Sequence, residues 1–287
     1  MKATEVPFIS IVIPTLNASA VLPRCLESVA RQDFRDFEVV VCDAVSSDCT
    51  LEVAQRWKRD LPRLTIDSRH DGGIYQGINR GIQLTAGRWI LVLGADDQLA
   101  SPTALATMAL ALQQTNVRFV YGDVRIESAS QLGPAGSRYP GPLTAAKLYS
   151  KNICQQSIFY RRDLFVDHGL FRSEYRICAD WDIALRVCAR EDTVWVDLVV
   201  ADYAATGASA RTPDTLFYRD RPLMLAILVL TRPLDKRFVD ARHALLGAAG
   251  KPLNGSMLAL KTAVVWLAAR WLAVLARTGA SNGSKPA

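Results

Sequence analysis

Two aspartates stand side by side at Asp96-Asp97, directly after the apolar run "WILVLGA". Adjacent carboxylates repel unless a proton or a cation lies between them. Hard oxygen ligands of this kind suit Mg²⁺ or Mn²⁺, which bind one or two carboxylates and complete their shell with phosphate oxygens and water. As a bare dipeptide the pair is a weak sign, because a surface loop can hold it for no reason. Its neighbours strengthen it. Pro14-Thr15-Leu16-Asn17 follows the apolar run "FISIVI", and Asp43, with Ser46, Ser47 and Asp48 behind it, follows "FEVVV". Arg69, Asp71 and Asn79 precede "RWILVLG". Polar groups from four segments thus gather at strand ends, where open α/β sheets bind their ligands.

A further acidic pair, Asp180 and Asp182, lies in "CADWDIALR". On a helix over 179–190 the two point about 200° apart, so only one faces a given site. Asp182 and Arg186 are spaced i,i+4 and can satisfy each other at the surface. Asp180 has Ile183 and Ala184 at those spacings, which leaves it the freer carboxylate and the better general base.

The elements that must position these groups alternate. Strands are expected over 8–13, 37–43, 88–94, 117–124 and 193–202, with helix-like stretches between the early ones, which is the pattern of an open α/β sheet. Val21, Leu22, Cys25, Leu26 and Val29 share one helical face, with Ser19 as the expected N-cap. Ser47 or Asp48 is expected to cap the next helix, and Ser101-Pro102 to open a later one. The stretch 127–143, rich in Gly, Pro and Ser, reads as a mobile loop. No G-x-G-x-x-G turn and no G-x-x-x-x-G-K-[ST] loop is present, so the phosphates of a bound nucleotide need another means of neutralisation.

The 287 residues suffice for one large α/β domain with an appendage. Six cysteines without C-x-x-C spacing and three scattered histidines argue against zinc and for reduced thiols in the cytoplasm, and no signal peptide is visible. The formal charge of +6 is unevenly spread. Residues 1–205 hold 22 Lys+Arg against 24 Asp+Glu, whereas 206–287 hold 12 against 4. Two domains are therefore expected, 1–205 and a basic, apolar helical region over 206–287. The tail's apolar runs, 221–233 and 256–277, fall short of the ~20 residues that span a bilayer. Either they pack on the sheet, or they rest on a membrane surface.

The blocks "FISIVIPTLNASAVLPRCLESVARQDFRDFEVVVCDAVSSDCT", "DGGIYQGINRGIQLTAGRWILVLGADD" and "QQSIFYRRDLFVDHGLFRSEYRICADWDIALR" resemble successive blocks of the family 2 glycosyltransferases, over roughly residues 8–205. The resemblance implies the GT-A fold, a mostly parallel open sheet flanked by helices. It implies transfer of a sugar from a nucleotide-diphosphate sugar, most simply a UDP-sugar, to a hydroxyl of a glycan or polyprenyl-linked acceptor, with inversion. Pro14, Thr15 and Asn17 match the stretch flanking the nucleotide. Asp43 matches the carboxylate on the base or ribose, with Asp48 closing its loop, and Arg69 and Asp71 lie where the family touches the donor. Asp96 and Asp97 match the metal motif, Asp97 as the direct ligand of Mn²⁺ or Mg²⁺, and Asp180 matches the general base. Tyr75, Asn79, Gln155, Gln156 and Trp181 are expected pocket contacts, although Trp181 can equally pack in the core and the glutamines can cap a turn. Gln155-Gln156 stands where relatives often have His-Gln, and Gln76-Gly77 where they often have Asp-Ala, so sugar preference does not carry over. No nucleic-acid partner is expected. A scaffold that has lost turnover, or a nucleotidyltransferase, are the competing readings; the second lacks the Gly-rich loop that class uses.

Overall fold

A computed structural model describes residues 6–61, 63–143, 148, 151–205, 213–221 and 224. The expected tail helices lie almost wholly outside these residues. Among the described residues no helix is long and apolar enough to cross a membrane.

The chain alternates as its apolar runs require. Strand β1 (Ile9–Thr15) leads to α1 (Leu22–Ala30), β2 (Phe37–Asp43) to α2 (Thr50–Arg56), and β3 (Leu64–Ser68) to α3 (Ile74–Leu84). Then follow β4 (Trp89–Val92), β5 (Gln98–Leu99), α4 (Ala104–Gln113), β6 (Phe119–Ile126) and β7 (Arg138–Tyr139). After a 3₁₀ turn, Gln155–Ser157, come β8 (Ile158–Arg161), α5 (Leu164–His168), α6 (Ala179–Cys188) and β9 (Val194–Tyr203). The sheet runs β3-β2-β1-β4-β8-β6-β9-β5, with β7 on β6. Strands β3, β2, β1 and β4 are parallel neighbours, so their C-terminal ends share one edge.

Side-chain alternation sorts the core into two layers. Ile9, Ile11 and Ile13 of β1 face the layer holding α1 and α4, while Val12 faces the layer holding α3 and α6. Both faces being covered explains why these strands read as unbroken apolar runs. Gly81 lets α3 lie close on the sheet: a Cβ there would come within 2.4 Å of Val12 Cγ1 and 2.8 Å of Cys42 Sγ.

Four local expectations need correction. Helix α1 starts at Leu22 with no side-chain cap; Ser19 instead donates its N–H to Asp48 Oδ2 at 3.1 Å. Helix α2 is preceded by Cys49, and Asp48 spends its oxygens on Ser19 and Thr50. Helix α4 starts at Ala104, later than Ser101-Pro102 suggests. The 127–143 stretch is bonded rather than loose. Arg138 of β7 pairs with Arg125 of β6 in the ladder, and its guanidinium bonds Asp123.

Candidate active site

The first part of the site is a brace between the loops after β1 and β2. Asp43 is fully buried. Its Oδ1 accepts the hydroxyls of Thr15 (3.1 Å) and Ser46, and its Oδ2 accepts Ser46 N–H (2.9 Å) and the Ser68 hydroxyl (2.8 Å). Burial alone would raise its pKa, but these bonds outweigh that and hold the carboxyl below its ordinary value. Asn17, at φ 50°, donates its N–H to Ser46 Oγ (2.8 Å) and accepts Ser47 N–H on its side chain (2.9 Å). Asp48 closes the same loop, its pKa lowered to about 2 by the bonds from Thr50 and Ser19. Pro14 lies opposite Cys42 in the ladder, one step before this brace.

The second part hangs on α3. Arg80 reaches Asp67 (2.6 Å), Asp71 (3.5 Å) and the Asp43 carbonyl (3.1 Å). Arg69 pairs with Asp67 (2.9 Å) and is largely exposed. Tyr75, also on α3 but buried, places its hydroxyl 2.8 Å from the Ile177 carbonyl and 3.0 Å from Asp180 Oδ1. Tyr75 and Arg80 are five residues apart, about 7.5 Å along the helix. One helix therefore ties the Asp43 loops to Asp180. Asn79 uses both ends of its amide on Phe171, donating to the carbonyl (2.8 Å) and accepting the N–H (3.1 Å). It is a brace rather than a pocket contact.

The third part is the acidic pair. Asp97 is buried, with Gln156 Nε2 at 2.6 Å from its Oδ2 and Ala204 N–H at 3.0 Å from its Oδ1. Burial first and the Asp96 charge second push it up to about 7. Both carboxylates fold over Gly94, where a Cβ would sit 2.4 Å from Asp97 Oδ2 and 3.1 Å from Asp96 Oδ1. Two hard oxygen donors crowded over a glycine, one of them reluctant to ionise beside the other, fit a divalent cation that also takes phosphate oxygens. Among the described residues no third carboxylate, cysteine or histidine joins them, so the protein's share of such a shell is small.

Asp180 begins α6. Its Oδ2 accepts Asn152 Nδ2 at 2.6 Å, and its Oδ1 accepts Trp181 N–H at 2.8 Å beside the Tyr75 hydroxyl. Burial raises its pKa to about 6, and the bonds from Tyr75, Trp181 and Asn152 limit the rise. Asp182 is fully buried, not a surface residue: Arg186 holds it at 2.8 Å and Arg172 at 3.3 Å. Trp181 is buried and donates to the Leu148 carbonyl, so the core-packing alternative holds for it.

The decisive feature is the short stretch 152–156. At one end Asn152 bonds Asp180, and at the other Gln156 bonds Asp97. Four residue steps span at most about 14 Å between Cα atoms, so one short stretch touches both the acidic pair and Asp180. Cys154, between them, has its pKa raised by burial and by both charges.

Residues 10–165 match the family described as Glycosyl transferase family 2. The chain belongs to that family. It is similar to a protein of Mycobacterium bovis named PGL/p-HBAD biosynthesis glycosyltransferase, at 41% identity over 80% of this chain and 92% of that one. A Campylobacter jejuni GalNAc(5)-diNAcBac-PP-undecaprenol beta-1,3-glucosyltransferase is 32% identical over 44% of this chain and 41% of its own. The structure of S. aureus TarS 1-349 in complex with UDP-GlcNAc superposes with a TM-score of 0.66 at 20% identity, covering 91% of this chain and 79% of that one. The fold of this glycosyltransferase is GT-A.

Several supporting residues of the glycosyltransferase had no sequence signal. Asn152 stands between Lys151 and the buried Ile153 with no motif around it, and Arg80 and Ser68 acquire their roles only through tertiary contact. Gln155 sits in the 3₁₀ turn with its Oε1 buried and unpaired among the described residues, beside the Gln156 that reaches Asp97.

Proposed function

We propose that this glycosyltransferase moves a sugar from a UDP-sugar to a hydroxyl of a glycan or lipid-linked acceptor by a single displacement that inverts the anomeric carbon. The observation that carries the reading is the pairing of Asp97 and Asp180 through 152–156. Asp180, its pKa raised to about 6, accepts the acceptor's hydroxyl proton as the oxygen attacks. Asn152 and the Trp181 N–H hold its carboxylate in place, and the sugar–phosphate bond breaks on the far side of the anomeric carbon. The loops braced by Asn17, Asp43 and Asp48 receive the nucleotide, with Arg69, Asp71 and Arg80 along one side. Asp96 and Asp97 would hold a Mn²⁺ or Mg²⁺ ion, which would supply positive charge for the departing diphosphate.

Two TarS structures that share this fold were solved with UDP and with UDP-GlcNAc, which favours a uridine donor, and a mannosyltransferase of the same fold was solved with GDP-Man and Mn²⁺. The undecaprenol in one relative's name, with the basic tail, favours a lipid-linked acceptor met at the inner face of the cytoplasmic membrane. A nucleotide-sugar panel read by thermal shift and nucleotide release, with and without Mn²⁺, tests the donor. Asp180→Ala is expected to lower turnover by about 10²–10⁴-fold, and Asp97→Ala nearly to abolish it, with the fold intact. Turnover within about tenfold of wild type in either variant rejects the assignment.

A further inference from the structure

Residues 213–221 follow β9 and lie beyond the stretch matched to the family, yet they pack against the start of α6. Asp214 is buried at 6% exposure. Its Oδ2 accepts the N–H of Ile177 at 2.9 Å and of Cys178 at 3.1 Å, the two residues before α6. Its Oδ1 accepts the N–H of Phe217 at 3.2 Å, which turns the chain into the helical residues 215–221. Amide groups ahead of a helix have no intrahelical partner, and a carboxylate there is favoured by the helix dipole.

What Asp214 grips matters because of what that backbone carries. The Ile177 carbonyl receives the Tyr75 hydroxyl, and the same hydroxyl lies against Asp180 Oδ1. The far side of Asp180 is gripped as well. Phe217 is fully buried, its ring 5.2 Å from that of Trp181 and 5.6 Å from that of Tyr175. The Arg221 guanidinium lies 5.1 Å over the Trp181 ring and 5.0 Å over Tyr218. Tyr175 in turn donates its hydroxyl to Asp220 at 3.1 Å. Residues 175, 177, 178 and 181 are therefore all held by one nine-residue segment.

We propose that Asp214 is a positioning residue for the transfer reaction: by clasping the Ile177–Cys178 backbone it fixes the Tyr75–Asp180 contact and so aims the base at the acceptor hydroxyl. The inference rests on Asp180 being the base. It makes part of the region after residue 205 a component of the active site, although that part touches neither the Asp43 loops nor the acidic pair in any contact described above.

The test uses the full-length protein and Asp214→Ala, with Asp214→Asn as the conservative variant that keeps one acceptor oxygen for the two amides. Steady-state nucleotide release from the donor found in the panel gives kcat and KM. Misplacing a reacting group by about 1 Å costs on the order of 10²-fold, so Asp214→Ala is expected to lose kcat on that order with donor KM within about twofold. Asp214→Asn is expected to recover most of the loss. A kcat for Asp214→Ala near wild type, or a donor KM that rises as far as kcat falls, overturns the proposal. Hydrogen exchange is measured in parallel at the amides of 177 and 178. Protection there is expected to fall in Asp214→Ala while β1, β2 and β4 stay protected, and unchanged protection also overturns it. Should wild type release no nucleotide from any donor, the functional reading fails and the exchange result still decides whether Asp214 holds this backbone. Should Asp214→Ala not fold because of the space it leaves, Asp214→Leu, which keeps the bulk and removes both acceptor oxygens, carries both readings: wild-type kcat together with wild-type protection in it overturns the clasp.

Discussion

In the proposed reaction Asp180 must be ionised before the acceptor hydroxyl can give up its proton, so its environment sets the acid limb of activity. Burial raises its pKa to about 6, and the Asn152 bond opposes the rise by favouring the charged form. Removing that bond in Asn152→Ala raises the pKa further. The acid limb of kcat/KM is expected near pH 6 in wild type and at higher pH in the variant, so the relative loss is larger at pH 6 than at pH 8. A profile displaced downward without moving along the pH axis would deny Asn152 this role. Asp97 gives a second pH effect of known sign. Its folded pKa of about 7 lies above an unfolded value of about 3.9. The folded state therefore holds an extra proton between those values, and stability falls as pH rises through that window. A divalent cation offsets the cost only where Asp97 is ionised. The gain in Tm from Mn²⁺ is expected to be larger at pH 7.5 than at pH 5.5, and equal gains would sink Asp97 as a ligand. At this scale the sequence was half readable. Asp43 and Asp97 are conspicuous as carboxylates that end apolar runs, and Asp180 as a helical carboxylate with no cation three or four residues on. Asn152, Arg80 and Ser68 are not, because what makes each of them matter is a partner 25 or more residues away.

The elements show the same division between local and distant causes. Strands β1, β2, β4 and β6 coincide with apolar runs to within two residues, since both faces of the central sheet are buried, and β9 does so although most of its residues are only half-buried. Strand β3 escapes that reading: among the described residues it pairs with β2 alone, and its residues are half-buried or exposed, so no run or clean alternation marks it. Strand β8 is four residues long and is fixed by antiparallel pairing to β4 and β6, contacts that local pattern does not encode. The expected side-chain caps at Ser19 and Asp48 are not made: Ser19 gives its backbone N–H to Asp48 Oδ2, and Asp48 stands one residue ahead of the cap position, Cys49, with its Oδ1 on Thr50 N–H. Helix α3 carries the tightest constraint of this kind. In a helix interior Gly→Ala ordinarily gains about 1 kcal/mol. At Gly81 the added methyl would meet Val12 Cγ1 at 2.4 Å, and overpacking of that kind costs about 1–3 kcal/mol. Gly81→Ala is therefore expected to lower Tm, by roughly 2–4 °C per kcal/mol, and to lower activity, since α3 carries both Tyr75 and Arg80. A Tm at or above wild type would show that α3 moves off the sheet without cost.

For the whole molecule the controlling quantity is the charge imbalance along the chain. Residues 1–205 are close to neutral, while 206–287 carry 12 basic against 4 acidic residues among strongly apolar stretches. An enzyme with a lipid-linked acceptor must hold its cleft near the headgroups, and a basic segment next to an anionic leaflet gains about 1 kcal/mol per Lys or Arg at the surface. A few engaged side chains are then enough to shift the protein from solution to membrane. The attraction falls off within a Debye length, about 10 Å at 0.1 M salt, so it must weaken steeply as salt is added, whereas insertion of apolar side chains would resist salt. Sedimentation of the full-length chain with vesicles of anionic or purely zwitterionic lipid separates these contributions. Binding is expected to anionic vesicles at low salt, to weaken at about 0.5 M salt, where the Debye length is only a few ångströms, and to be weak on zwitterionic vesicles throughout. Binding to both vesicle types regardless of salt would make the attachment hydrophobic rather than electrostatic. No binding to either at low salt would leave the basic region with packing on the protein as its role, and the acceptor would then have to reach the cleft from solution.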